Sequence, residues 1–378
     1  MSLRIALGHD GPPLDLDLAF PAGEIVGIVG PSGSGKTSLL RAIAGLLRPR
    51  RGRIAFDHDV WLDTAHGVDR PTRQRPIGYV SQHYGLFPHL TALDNVACSL
   101  LDQLPAERDA QARARLAQAH VAGLEDRRPR ELSGGQQQRV AMARALARNP
   151  RVLLLDEPFS SVDRSTRKRL YVELKRLHAE LSPTVLLVTH DLDEAALLAS
   201  HLCLMQRGRI VQHGPTREVM TRPATVAAAR LLDLPNLFEG PIEGTSAARR
   251  LAFGPHRLEV PDTGDFAAGR RIAWTILPTR VLLHRVDRPS HGERENPVPA
   301  AVADLVVLGD DVIARLAPAG MPEARLTLRV SQHVAERNAL AIGRQVTVSL
   351  LREAIVPLDA RYRRPSPGGA PVTPPAGD

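Results

Sequence analysis

Residues 24–37 read EIVGIVGPSGSGKT, an apolar run that breaks into a glycine-rich turn and then at once into the helix-forming stretch TSLLRAIAGLL (37–47). A strand, a tight turn and a helix in that order constrain the fold more than any other part of the chain. The strand shows no polar alternation, which is the pattern of a strand covered on both faces. Gly30, Gly33 and Gly35 allow backbone N–H groups to turn inward around a phosphate chain, with Pro31, Ser32 and Ser34 completing the loop. The helix that follows adds the positive end of its dipole. Lys36 is placed to reach terminal phosphates, and the Thr37 hydroxyl to complete a Mg2+ shell.

Similar apolar runs recur at 77–80, 152–155, 184–189 and 202–205, with helical stretches at 136–148, stopped by Pro150, and 164–181. They predict an α/β domain with a parallel sheet over 1–235, carrying a mostly helical insert at about 88–148. Composition changes after LLDLPNLFEG (231–240). Pieces such as RRIAWTIL, RVLLHRV, AAVADLVVL, ARLTLRVS and QVTVSLL, separated by Gly, Pro and Asp, predict an all-β, OB-like barrel or sandwich over 236–362. Within it, 240–295 and 298–358 read as two related β units. The Pro/Gly-rich tail at 363–378 reads as disordered.

Composition excludes several classes. Nothing approaches eighteen consecutive apolar residues, so no helix is expected to span a membrane. The N-terminus has no apolar core of the secretion-signal kind. Cys98 and Cys203, far apart in sequence, argue for a reduced, cytoplasmic compartment rather than a disulfide framework. The formal charge of +8 is spread along the chain as arginine, and aromatics make up only 3%. No nucleic acid partner is expected from such a pattern.

Chemistry-bearing residues follow the strands. In VLLLDEP (152–158), Asp156 leaves a buried strand, where a carboxylate is costly unless paired or bound to a cation such as Mg2+. Glu157 beside it can polarise an attacking water as general base. His190 ends TVLLVTH, within reach of a terminal phosphate, and precedes DLDEA, whose Asp191 and Glu194 read as caps of a new helix. Gln82 lies just past the strand IGYV, where it could contact Mg2+ or water. In ELSGGQQQRV (131–140), Ser133 reads as the cap of a helix running from Gln136, and Gly134 and Gly135 leave N–H groups open to an anion.

In this order, GPSGSGKT, Gln82, LSGGQ (132–136), LLLDEP, SSVD (160–163) and His190 resemble the ATP-binding cassette of ABC transporters, over residues 1–235. The resemblance implies ATP and Mg2+ as cofactors, with Lys36 and Thr37 as phosphate and Mg2+ ligands and Asp156 as the Mg2+ aspartate. It makes Glu157 the general base, His190 the switch histidine and Gln82 part of the loop that couples hydrolysis to membrane subunits. Two cassettes in that family pack head to tail, so Ser133, Gly134, Gly135 and Gln136 would close the site of a second copy, with Asp163 in the loop that crosses between them. The family usually carries an aromatic residue ahead of the phosphate loop on which adenine stacks. The stretch IALGHDGPPLD has none, and His9 is its nearest flat side chain.

One cassette and about a hundred residues between phosphate loop and LSGGQ set the chain apart from repair ATPases with a long coiled coil and from two-cassette translation factors. With its β-rich extension it resembles importers of molybdate, sulfate, ferric iron, polyamines and sugars, in which the extension is a TOBE/Mop-like regulatory domain. There, hydroxyls such as that of Ser331 would help to hold an oxyanion. The resemblance implies a Mg2+-dependent ATPase, peripheral on the cytoplasmic face of the inner membrane. Its partners would be integral permease subunits and, indirectly, a periplasmic or extracellular solute-binding protein, with molybdate the leading solute. The competing class is a soluble ABC ATPase acting on nucleic acid or ribosomes.

Overall fold

The computed structural model describes residues 2–160, 162–244, 249–261, 269–285 and 295–358, so the tail at 363–378 and its expected disorder fall outside it. The chain divides into two units, Met1–Met220 and Thr221–Asp378.

The first unit opens with an antiparallel pair, β1 (Ser2–Asp10) and β2 (Pro13–Pro21), and then β3 (Ile25–Val29), which feeds α1 (Lys36–Ala44). Next come β4 (Arg51–Phe56), β5 (Asp59–Asp63), β6 (Val68–Asp69) and β7 (Ile77–Val80). Helices α2 (Ala92–Ala97), α3 (Pro105–Gln118) and α4 (Gly134–Leu146) fill the insert before β8 (Val152–Asp156). The unit continues through α5 (Arg164–Leu181), β9 (Thr184–Thr189), α6 (Leu192–Leu198), β10 (His201–Gln206) and β11 (Arg209–Pro215) to α7 (Thr216–Thr221). All eleven strands form one sheet in the order β6-β5-β4-β1-β2-β11-β10-β3-β9-β8-β7.

The run β10-β3-β9-β8-β7 is parallel, and the apolar runs of the sequence are these strands. Their alternate residues enter two different cores. Leu154, Leu186 and Val188 pack with Leu39, Leu40 and Ile43 of α1 and with Leu3, Ile5 and Leu16 of the β1–β2 pair. Leu153, Leu155, Val185 and Leu187 pack instead with Ala141 of α4, Leu170 and Leu174 of α5 and Leu198 of α6. Each such side chain contributes about 1.5–3 kcal/mol by burial, so a polar residue on either face of these strands would be costly. A third cluster, built on Val96, Leu116, Val121 and Val140, holds the insert helices together.

The second unit begins with α8 (Val226–Leu231) and is otherwise largely β: β12 (Leu237–Glu243), β13 (Arg250–Phe253), β14 (His256–Glu259), β15 (Arg271–Thr275), β16 (Val281–Leu283), β17 (Pro297–Leu308), β18 (Asp311–Pro318), β19 (Leu326–Ser331), the short helix α9 (Gln332–Arg337), β20 (Gln345–Leu350) and β21 (Val356–Leu358). These strands form two five-stranded sheets, β14-β13-β12-β15-β21 and β16-β20-β17-β18-β19, over one core that includes Phe253, Trp274, Leu316 and Leu350. The all-β expectation holds. The stretches 240–295 and 298–358 each correspond to four strands of one sheet, with β16 joining the second sheet and β21 returning to the first. Ser331 is the N-cap of α9, its hydroxyl accepting from Val334 N at 3.4 Å.

Among the described residues no helix is long and apolar enough to cross a membrane.

Candidate functional site

Four adjacent parallel strands end at one edge of the sheet, and each delivers part of the site there, the usual binding edge of such a sheet. The loop after β3 turns into α1 through Gly35, whose φ of 100° a side chain would resist. Lys36 is folded back into this loop: its ammonium donates to the Gly30 and Pro31 carbonyls at 2.7 and 3.1 Å. Burial lowers its pKa, while the nearby charges of Glu157 and Asp156 oppose that shift. Ser34 is 2% exposed and its hydroxyl has no hydrogen-bond partner among the described residues. A lysine held only by two carbonyls and an unpartnered buried hydroxyl in a glycine-rich loop are what an anion would complete.

Asp156 ends β8 and is 3% exposed. It accepts from the Thr37 hydroxyl at 3.0 Å and from the Tyr79 hydroxyl at 3.3 Å. Burial raises its pKa against those two hydrogen bonds, so the carboxylate is short of positive charge where it stands. Tyr79 is itself pushed up to about 12, by burial first and the Asp156 charge second. Sequence reasoning missed Tyr79; the only signal was a hydroxyl-bearing residue in an apolar strand one short of its end.

Glu157 follows in the left-handed region at φ 46°, its N–H held by the Val188 carbonyl at 2.9 Å. Gln82, just beyond β7, donates to the Glu157 carboxylate at 3.3 Å. His190, just beyond β9, places Nδ1 at 3.4 Å from the same carboxylate oxygen. Two residues more than a hundred positions apart therefore meet on the Glu157 carboxylate.

Behind His190, the residues expected as a cap divide their work. Asp191 caps α6, accepting from Asp193 N and Glu194 N at 2.9 and 3.1 Å. Glu194 does not cap. It is 5% exposed, accepts from the Thr189 hydroxyl at 3.2 Å, and burial pushes its pKa up to about 7. Thr189 also accepts from Asp191 N at 3.0 Å, which pins the peptide on either side of His190.

Five of the expected site residues stand in two separate turns. Asp163 caps α5, accepting from Ser165 N, Thr166 N and the Ser165 hydroxyl, which together hold its carboxyl well below the usual range. Ser133 caps α4, which starts at Gly134 rather than at Gln136. The Gln136 side chain folds back onto Ser133 N at 2.8 Å, a capping box that leaves the N–H groups of Gly134 and Gly135 in the open first turn.

Residues 14–160 match the family model described as ABC transporter. The sulfate/thiosulfate import ATP-binding protein CysA of Ralstonia nicotianae is 40% identical over 302 residues, 78% of this chain and 78% of that protein. The molybdenum import ATP-binding protein ModC of Thiobacillus denitrificans is 38% identical over 371 residues, 93% of this chain and 97% of that protein. The chain belongs to the ABC transporter ATP-binding proteins. A structural relative, the dimeric structure of MJ0796, a bacterial ABC transporter cassette, is 32% identical with a TM-score of 0.50, covering 57% of this chain and 99% of that one.

As an ABC cassette of the import type, the chain is a Mg2+-dependent ATPase. Its loop fits that chemistry: the unpartnered Ser34 hydroxyl and the amides around Lys36 suit phosphate, and Thr37 beside an electron-rich Asp156 suits a hard cation. Oxygen donors numbering only two or three are the Mg2+ pattern, since that ion keeps water and phosphate in its shell.

Proposed function

We propose that the chain energises import of a tetrahedral oxyanion, working as a pair of copies beneath membrane permease subunits on the cytoplasmic face of the membrane. The observation that carries the reading is the meeting of Gln82, Glu157 and His190 next to the Lys36 loop and the Thr37–Asp156 pair. Lys36 would exchange its two carbonyl contacts for phosphate oxygens, and Thr37, Asp156 and Gln82 would hold Mg2+, which would supply charge neutralisation to the phosphates. Glu157 holds the attacking water and takes its proton, with Gln82 and His190 fixing the carboxylate. Gly134 and Gly135 offer their N–H groups to the nucleotide on the other copy, and Asp163 holds the turn that borders it.

The dimeric structural relative supports pairing, and the relatives named for sulfate, thiosulfate, molybdenum, molybdate and tungstate support an oxyanion. Molybdate stands first because the molybdenum relative covers 93% of this chain, against 78% for the sulfate/thiosulfate relative.

Mixing two dead variants tests the shared site. Lys36→Ala keeps the Ser133 turn and Ser133→Arg keeps the loop, so a mixed pair has one intact composite site. Each variant alone should trap no nucleotide, and the mixture should trap it at one site per mixed pair. Full trapping by monomeric Ser133→Arg overturns the pairing. For the solute, a complex reconstituted with its permease should hydrolyse ATP faster with molybdate-loaded binding protein; stimulation by neither molybdate nor sulfate overturns the oxyanion.

A further inference from the structure

Beside the phosphate loop lies an open cleft of about 930 Å3 whose lining includes His9, the carboxylates Asp10 and Asp15, and four arginines, Arg50, Arg51, Arg207 and Arg209. It adjoins the loop directly. A Cβ at Gly35 would touch Leu14 at 2.9 Å and Gly208 at 3.6 Å, and Gly208 N donates to the Ser34 carbonyl at 2.8 Å. The cleft falls in the size range of pockets that hold small organic ligands.

Two of the arginines are neutralised: Arg50 pairs with Asp10 at 2.8 Å and Arg209 with Asp15 at 3.4 Å. Arg51 and Arg207 have no ion-pair partner among the described residues. Arg51 is held in a particular way. It lies opposite Gly8 in the β1–β4 register, and a Cβ at Gly8 would collide with its Nε, Cγ and Cδ. The side chain therefore lies along the bare backbone of Gly8, with its planar end in a cleft that no Phe, Tyr or Trp lines. His9, the one aromatic ring in the lining, donates from Nε2 to the Gly11 carbonyl, 2.8 Å away, and its buried Nδ1 has no hydrogen-bond partner among the described residues.

We propose that the Arg51 guanidinium takes the place of an aromatic side chain in this chain, as the plane on which the base of the bound nucleotide stacks. The proposal rests on the nucleotide reading of the Lys36 loop. A guanidinium is flat, delocalised and weakly hydrated, so it stacks on a base as an aromatic ring does, whereas a lysine ammonium offers charge without a plane. That difference separates stacking from plain attraction to phosphate.

Calorimetry on the full chain with MgADP and with Mg-pyrophosphate, which has phosphates but no base, tests it. Arg51→Ala should weaken ADP binding about tenfold and leave pyrophosphate binding within about twofold. Arg51→Lys should lose as much as Arg51→Ala, and Arg51→Trp should restore binding. Gly8→Val, which pushes Arg51 out of place, should reproduce the loss. Native ADP affinity in Arg51→Lys overturns the proposal, as does an equal loss of pyrophosphate. A native chain that binds pyrophosphate as tightly as ADP overturns this proposal alone, and one that binds neither overturns the nucleotide reading with it.

Discussion

Asp156 and Glu157 are consecutive in sequence and belong to different networks. The first takes the hydroxyls of Thr37 and Tyr79, and the second meets Gln82 and His190. The change of backbone region between them, from the end of β8 to φ 46°, separates the two carboxylates. Removing either charge should therefore have distinct effects. Glu157→Gln should bind MgATP near native affinity and lose at least about a hundredfold in turnover, as removal of a general base does. Asp156→Asn should instead shift the Mg2+ dependence of ATP binding. Single-turnover and equilibrium binding measurements distinguish them; native turnover in Glu157→Gln would show that another group is the base.

Glu194 makes stability depend on pH. Below about pH 4.5 its carboxyl is protonated in folded and unfolded chains alike. Between about 4.5 and 7 the folded chain keeps a proton that the unfolded chain has lost, so this stabilisation declines as pH rises and is gone above about 7. Glu194→Gln removes the penalty, which is at most about 3 kcal/mol. The variant should melt with the native protein at pH 4.5 and above it at pH 8. Parallel melting curves across that range would contradict the assignment.

Arg75 anchors the end of the phosphate-loop helix. Its guanidinium is 4% exposed and donates to the Ala42 and Ile43 carbonyls at 2.9 and 2.7 Å and to the Arg70 carbonyl at 2.9 Å. Ala42 and Ile43 lie in the last turn of α1, where carbonyls lack intrahelical i+4 partners, and Ala42 accepts in addition from Gly45 N at 3.1 Å. Arg75→Met keeps the volume and loses the donors, at about 3 kcal/mol. Urea unfolding of the first unit should register that loss; a change below about 0.5 kcal/mol would mean that water replaces the side chain.

In the second unit Asn236 is fully buried and ties three groups together. It donates to the Ile276 and Thr327 carbonyls at 3.0 and 2.8 Å and accepts from Thr327 N at 2.6 Å. A fragment spanning 236–362 should melt cooperatively with strong β circular dichroism, because it owns a core. Asn236→Ala in the full chain should lower that transition by about 3 kcal/mol while leaving MgATP affinity alone. A fragment without a cooperative transition would move the boundary.

The parallel strands were legible in sequence because burial on both faces demands continuous apolarity, which a reader can see in VLLL or TVLLVT. The antiparallel part was harder. β2 alternates plainly in LDLDLAF, but a search for continuous runs passes over it, and β4 to β6 are short and mixed in character. The phosphate loop, Asp156 and Glu157 were legible because their chemistry is local. Tyr79, Thr189 and the buried state of Glu194 were not, since each depends on a neighbour that only the sheet supplies. The start of α4 at Gly134 shows the same limit: glycine is a poor helix former, and the Ser133–Gln136 box overrides that preference.

The exchange of β16 and β21 between the two sheets of the second unit reaches beyond topology. β21 is three residues long and close to the end of the described chain, yet it borders β15, about eighty positions earlier, through pairs such as Thr275–Val356. β16 in turn lies against β20 through Val281–Leu350. Each half of the sequence thus holds a border of the other half's sheet, like two garments sharing a hem. A ribosome that stalled near residue 295 would release neither sheet finished, so the unit can lock into place only once its final strand has emerged.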